Sequence, residues 1–571
     1  MHKRLWLVAA AVLASVIVAG GATAMTATRE AGTSVQASGA FKGQLPAGLR
    51  TPAQRAAKNT LVFGAEQDVD GFNTNLNCCA EYWAVVVGNS AVLRGLYVIL
   101  PNGNYKFDLL SGIKVHFGSK PYYIRYTIRK NARWSDGVPV SGRDISYTWK
   151  QFINPNNDVT SRDGYDQISR VKGTGKVVTV YFKAPYAAYK DLFNVGTVYP
   201  SHVLKGEDFN KIWSNCVCNP KNGKPISDGP YLLESYRKGT DATLVRNNKW
   251  YGAKPRLSKI IFRFIQDTNS EIQAMRGGEV DAIAPSPQTN LTSLQGQRGI
   301  VYKSIPGLYL EHIDLSGSGN HNKLMEQQWF RQALILGIDR RALVRTFYGQ
   351  IAPGLGIQNS LVFYQTDGRY VGHFKKWTLG SYSAQVAKAK QLLSSHGCKA
   401  GSGGVLDCNG TKASLTYMTT GTNKRRVLSA QIYKDELKNI GIDLNLKLVP
   451  PNVMFGPSGI SSGNFDMAEY AWVTSPDPSF AVPWLKCKGG SNYMTFCNAK
   501  VTKLLNASDK ALSVTKRASL FNQADKLMST SVPVIPLYAQ PSILVYKSSV
   551  KGMLNNPSTW GPTWNAQAWH F

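Results

Sequence analysis

Helical and strand-like periodicities follow one another directly in this chain, and that alternation restricts the fold more than any other feature. Asn423 to Ile440 places Leu428, Ile432, Tyr433, Leu437 and Ile440 at helical spacing and stops at Gly441. Gly441 to Leu448 then alternates apolar and polar residues as a strand. Upstream, Asp339 is a helix N-cap for Arg340 to Tyr348, with Leu343 and Phe347 inward and Gly349 at the stop. Ser383 caps Ala384 to His396, with Val386, Ala389 and Leu393 inward, ending at Gly397. Thr60 to Gly64, Tyr122 to Arg129 and Val177 to Phe182 read as strands, and Gly173 to Lys176 as the hairpin turn before the last of them. Strand and helix in repeated succession mean an α/β architecture.

The N-terminus sets the compartment. His2, Lys3 and Arg4 precede an apolar run from Leu5 to Gly21, and Ala22-Thr23-Ala24 supplies small residues for cleavage. This is the pattern of a secretory signal peptide over 1–24; an uncleaved anchor is the alternative. Residues 25–58, rich in Ala, Gly, Thr and Ser, read as a flexible linker. No cysteine precedes Cys78, so this signal has no lipobox cysteine. The expected location is the cell envelope or outside it.

Lys and Arg number 66 against 35 Asp and Glu, a net charge of +31. The bases are spread along the chain, with no block longer than Lys424-Arg425-Arg426. That spread favours attraction to an anionic envelope surface over a DNA groove, so no nucleic-acid partner is expected.

Eight cysteines in an exported chain point to disulfides. Cys398 and Cys408 are ten residues apart across a glycine-rich segment, and so are Cys487 and Cys497. Each pair is expected to close a small loop. Cys78-Cys79 and Cys216-x-Cys218 read either as two more bridges, joining the two groups or not, or as a metal site. The second is disfavoured because no CxxC pair and no nearby His accompany them. No G-x-S-x-G, H-E-x-x-H or complete G-x-G-x-x-G is present, and the histidines are scattered.

Tyr126-Thr127-Ile128-Arg129-Lys130-Asn131-Ala132-Arg133-Trp134-Ser135-Asp136-Gly137-Val138-Pro139, continuing to Asp144-Ile145, resembles the signature of extracellular solute-binding proteins of family 5, the peptide- and nickel-binding receptors of ABC importers. Asp228-Gly229-Pro230-Tyr231, Arg246-Asn247-Asn248-Lys249-Trp250-Tyr251, Gly277-Gly278-Glu279-Val280-Asp281, Arg331 to Arg340, Gly463 to Met467 and Pro533 to Tyr538 are similar to further motifs of that family, in its order.

The resemblance implies a two-lobed periplasmic-binding-protein-like fold with hinge-connected lobes. Lobe I would hold 59–306, including an extra subdomain about 84–190, with a C-terminal return over 530–571; lobe II would hold 307–529. It implies a monomer without cofactor or catalytic residues, delivering a peptide or similar solute to an ABC permease. The cleft strand and loop would supply Tyr470, Trp472, Thr474, Ser475 and Asp477. Ser475 stands where the family usually has an acid for the peptide amine, with Asp477 as a possible substitute. Tyr493, and the segment Asn77 to Tyr82, would also face ligand. Two other classes remain open at this point: a secreted hydrolase, and a cationic surface adhesin on anionic polymers.

Overall fold

The computed structural model describes residues 59–571 except Ser318, Asn320 and Pro457. The expected signal peptide and linker lie outside the described residues.

Among the described residues, a ten-stranded sheet runs in the order 443–449, 414–420, 467–473, 300–315, 534–547, 282–283, 60–65, 259–264, 241–246, 231–237. Two strands are long: Ile300–Leu315 and Val534–Lys547. They pair antiparallel through most of their length, with register shifts between Ile305 and Tyr309 and between Glu311 and His312. The break divides their partners. Strand Met467–Val473 lies on the later part of the first long strand, and Ala282–Ile283 on the end of the second. One hydrophobic core gathers Phe63, Trp83, Trp134, Tyr199, Tyr231 and, from the C-terminus, Trp569. The other gathers Phe330, Phe347, Tyr417, Trp484, Phe521 and Tyr538. This is a mixed α/β fold with two packed bodies.

The expected strands form at Thr60–Ala65, Tyr122–Ile128 and Val177–Phe182, and Gly173 turns the hairpin at φ +114°. Asp339 caps Arg340–Tyr348 by accepting from the N–H groups of Arg341 and Ala342. Two details differ. The cap of helix Tyr382–Ser395 is Ser381, not Ser383, because a Ser two residues earlier already reaches the third N–H of the helix. In helix Lys424–Lys438, Leu428 is 48% exposed; the inward stripe instead includes Arg425, Ser429 and Tyr433, because this helix buries an ionic network.

Several sequence motifs turn out to be ties between distant segments. Gly137 takes φ +100° in the turn that returns Trp134 to Val138. Trp134, fully buried, donates its indole N–H to Asp144 (3.4 Å), and Asp144 closes the capping box of helix Gly142–Ile153. Asp281 accepts from the Val62 N–H (2.9 Å) and from Lys547 (2.8 Å), joining the first strand to the last. The sulfurs pair as Cys78–Cys79, Cys216–Cys218, Cys398–Cys408 and Cys487–Cys497, so the first four bridge within each group rather than between groups.

A substitution at the break tests how tightly the long strands approach. A Cβ at Gly307 would stand 1.8 Å from the Gln540 carbonyl oxygen. Gly307→Ala is expected to lower stability by about 1–3 kcal/mol, read as a shift of the urea midpoint. An unchanged midpoint would mean that the strands separate there.

Candidate functional site

Strand Met467–Val473 sets Trp472 opposite Leu310, Tyr470 opposite His312 and Ala468 opposite Asp314. On its other edge only Met467 and Ala468 pair, with Tyr417 and Met418. Among the described residues no strand covers Tyr470 to Val473 on that side, so a backbone edge lies open beside an aromatic surface. The Trp472 ring is half-buried. It stacks on Tyr493 (6.1 Å, 17°) and lies parallel to His312 (6.4 Å, 9°). Its indole Nε1 is buried and has no hydrogen-bond partner. A buried donor left unpaired is costly, so an acceptor is expected here when the site is filled.

The platform is held from behind. Asp314 accepts from the Tyr470 hydroxyl (2.6 Å) and from Trp484 Nε1 (3.3 Å), and His312 Nδ1 donates to the Leu310 carbonyl (3.0 Å). Burial pushes His312 down to about 4 and Asp314 up to about 7. The imidazole is therefore neutral at ordinary pH and acts as a wall for Trp472. Tyr470 thus belongs to this support: it is 1% exposed and its hydroxyl is used. Thr474 is likewise held within the protein. It is buried, its N–H and hydroxyl both reach the Leu308 carbonyl, and Tyr364 meets the hydroxyl at 2.7 Å.

Ser475 and Asp477 sit where the two bodies meet. Ser475 donates to Asp191 Oδ2 (2.9 Å), which also accepts at Oδ1 from Tyr105 (2.5 Å). Asp477 caps the short turn Pro478–Phe480 and holds Arg517 by two bonds (2.5 and 2.7 Å). Its carboxylate is paired with Arg517. Nearby, Lys486 pairs with Asp163, Ser479 donates to Asp509, and the Ala187 N–H donates to the Asp509 carbonyl (2.7 Å). Burial first, and the neighbouring Asp477 second, push Asp191 up to about 7; burial pushes Asp509 up to about 7. Tyr82 faces Tyr309 of the long strand, whose hydroxyl donates to it (3.1 Å). Asn77 is exposed and donates to Asp158 (2.6 Å).

Sequence reasoning missed His312, Asp314, Trp484, Asp191 and Arg517. His312 and Asp314 carried a signal: two polar residues two apart in an apolar strand share one buried face. Asp191 and Arg517 carried none, because their roles arise only from docking.

The sequence profile described as Bacterial extracellular solute-binding proteins, family 5 Middle, matches residues 122–493. The oligopeptide-binding protein AppA of Bacillus subtilis is 24% identical over 473 residues, 82% of this chain and 83% of that protein. The periplasmic EDTA-binding protein EppA superposes with a TM-score of 0.80 at 26% identity, covering 90% of this chain and 96% of that one. AppA in complex with a nonapeptide superposes at 0.77 and 20% identity, covering 90% and 98%.

The rim makes a pH prediction. Asp191 faces Tyr105, Ser475, Asp477 and Arg517; Asp509 faces Ser479, Arg517, Asp477 and Asp163. Both carboxyls have raised values when the rim is shut, so shutting it takes up protons. Their contribution is fully present below the ordinary carboxyl value, about 3.9, and is lost as pH rises through about 7. Ligand-free protein should scatter with a larger radius of gyration on the alkaline side of that window than on the acid side. Asp191→Asn with Asp509→Asn should flatten the dependence; an unchanged slope would remove these groups from it.

Proposed function

The chain belongs to family 5 of the bacterial extracellular solute-binding proteins, and on that premise we propose that it captures an extended peptide between its two bodies and hands it to an ABC permease. The open edge of Tyr470 to Val473 beside Trp472 and Tyr493 carries this reading. An extended ligand adds to such an edge through main-chain hydrogen bonds, which every peptide offers, while the aromatic surface takes its side chains. The unpaired Trp472 N–H supplies one donor for a ligand carbonyl. Closing and opening about the long strands would admit and release it. Binding, not turnover, is the expected activity. No helix among the described residues is long and apolar enough to cross a membrane, and the permease is the expected membrane partner.

The ligand is not chosen by a free α-amine. A buried ammonium needs a partner charge. Ser475 is neutral and already bonded to Asp191, and Asp477 is neutralised by Arg517.

Calorimetry with one peptide, free and N-acetylated, tests this. Acetylation is expected to change affinity by less than about threefold, well under the cost of losing a buried charged contact. A loss of tenfold or more would mean that the amine is read. If Asp191→Asn then reproduced the loss, Asp191 would be its partner.

Trp472→Ala is expected to weaken peptide binding at least about tenfold, as removal of a central aromatic anchor does. Thermal melts should separate this from unfolding. Recovery of the peptide unchanged, by mass spectrometry, distinguishes capture from hydrolysis.

A further inference from the structure

Among the described residues, a second sheet has four antiparallel strands in the order Leu110–His116, Tyr122–Ile128, Val177–Phe182, Ile168–Lys172. Its inner face is ordinary: Ile124, Tyr126, Ile128, Val178 and Val180 are buried in the core that holds Trp134. Its outer face is not. We propose that this outer face is a docking surface for an anionic polysaccharide of the cell surface, separate from the peptide site.

The register places two rows of side chains side by side. In one row, His116 stands opposite Tyr123, Tyr123 opposite Tyr181, and Tyr181 opposite Arg170. The rings form a continuous run: His116 stacks on Tyr123 (4.7 Å, 11°), Tyr123 meets Tyr181 at 5.8 Å, and the Arg170 guanidinium lies over Tyr181 at 4.0 Å. In the next row, Lys114 stands opposite Arg125, and Thr179 links Arg125 to Lys172. At the sheet's end a shallow groove of about 440 Å³ lies between Lys120, Tyr122, Arg170, Tyr181 and Lys183.

Three features separate this face from a merely solvated one. No Asp or Glu occurs in any of the four strands, whereas solvated faces mix both signs. Lys114 and Arg125 are directly opposed, and like charges in that position destabilise a sheet. The sheet therefore carries a cost that an anion would relieve. Finally, Lys114, Arg125, Arg170 and Lys172 are exposed, and among the described residues none of them makes an ion pair.

The combination selects the partner's chemistry. The half-exposed rings stack or tilt against one another (11° and 51°), and the ring surfaces they leave uncovered are where sugar rings would pack. The cations stand one side-chain repeat further along the strands, about 7 Å away, within reach of carboxylate or phosphate groups carried on those sugars. A lipid surface would call for apolar side chains to insert, and Val177, at 50% exposure, is alone among the outer-row residues in offering one. A polypeptide anion would have no use for the ring row.

Binding of the full chain to immobilised polygalacturonate tests the proposal, with neutral dextran, polyglutamate, phosphatidylglycerol vesicles and a single-stranded oligonucleotide as comparison probes. Polygalacturonate is expected to bind best and to weaken steeply with salt. Lys114→Ser with Arg125→Ser should lose at least about tenfold of that binding while melting no lower, since like-charge repulsion is removed. Tyr123→Ser with Tyr181→Ser should weaken polygalacturonate several-fold and leave polyglutamate unchanged. Peptide capture should survive in both variants. Equal binding to polyglutamate with no effect of the tyrosines would overturn the proposal, leaving a non-selective cationic patch. Preference for vesicles or oligonucleotide, or retention of binding by the charge variant, would overturn it too.

Discussion

Pairing of the two long strands, Ile300–Leu315 with Val534–Lys547, is the contact on which the other elements are hung. Each strand contributes to both ends of the sheet, so one ladder carries both bodies. Backbone hydrogen bonds must be satisfied throughout such a ladder. The register shift between Ile305 and Tyr309 interrupts the ladder, and there Gly307 lets the backbones approach. A sheet that is continuous but interrupted by register shifts along its central ladder can transmit position and still bend.

Behind the ladder lies a buried charge network. Glu311 accepts from Arg426 Nε (2.7 Å) and pairs with Arg425 (3.1 Å), while Glu469 takes the Tyr417 hydroxyl. Burial pushes Glu311 up, but Arg425 and Arg426 outweigh it and hold the carboxyl well below its usual range. Burial and the Glu311 charge push Glu469 up to about 8. Glu311 thus meets both guanidinium groups, while Glu469 meets only that of Arg425 (3.6 Å). Such a network adds little net stability, but losing one member is expensive. It fixes helix Lys424–Lys438 against the long strand, through Glu311, and against strand Met467–Val473, through Glu469. These arginines belong to the longest basic block in the sequence, yet Arg425 is buried and Arg426 only partly exposed.

The fold was largely legible, and the motifs explain why. Asp136-Gly137, Asp144, Asp281 and the Asp339 cap each perform a local task whose chemistry demands that residue type, so their spacing carries through. The site was less legible. Trp472 and Tyr493 share a surface, but Tyr470 and Thr474, from the same sequence neighbourhood, are buried. Strand alternation alone does not separate them, because Tyr470 and Trp472 point the same way and differ in what lies over them. Asp477 was ambiguous because its partner, Arg517, is forty residues away. Pairings made by docking leave no periodic trace.

Among the contacts that hold the rim shut, the bond from the Ala187 N–H to the Asp509 carbonyl uses no side chain. Substitution can retune every charge around it: Asp163 with Lys486, Asp191 with Ser475, Asp477 with Arg517. The main-chain bond persists through all of these. Electrostatics at the mouth is thereby uncoupled from the distance at which the two bodies come to rest. A change of side chain at the entrance therefore alters its charge without removing that main-chain contact.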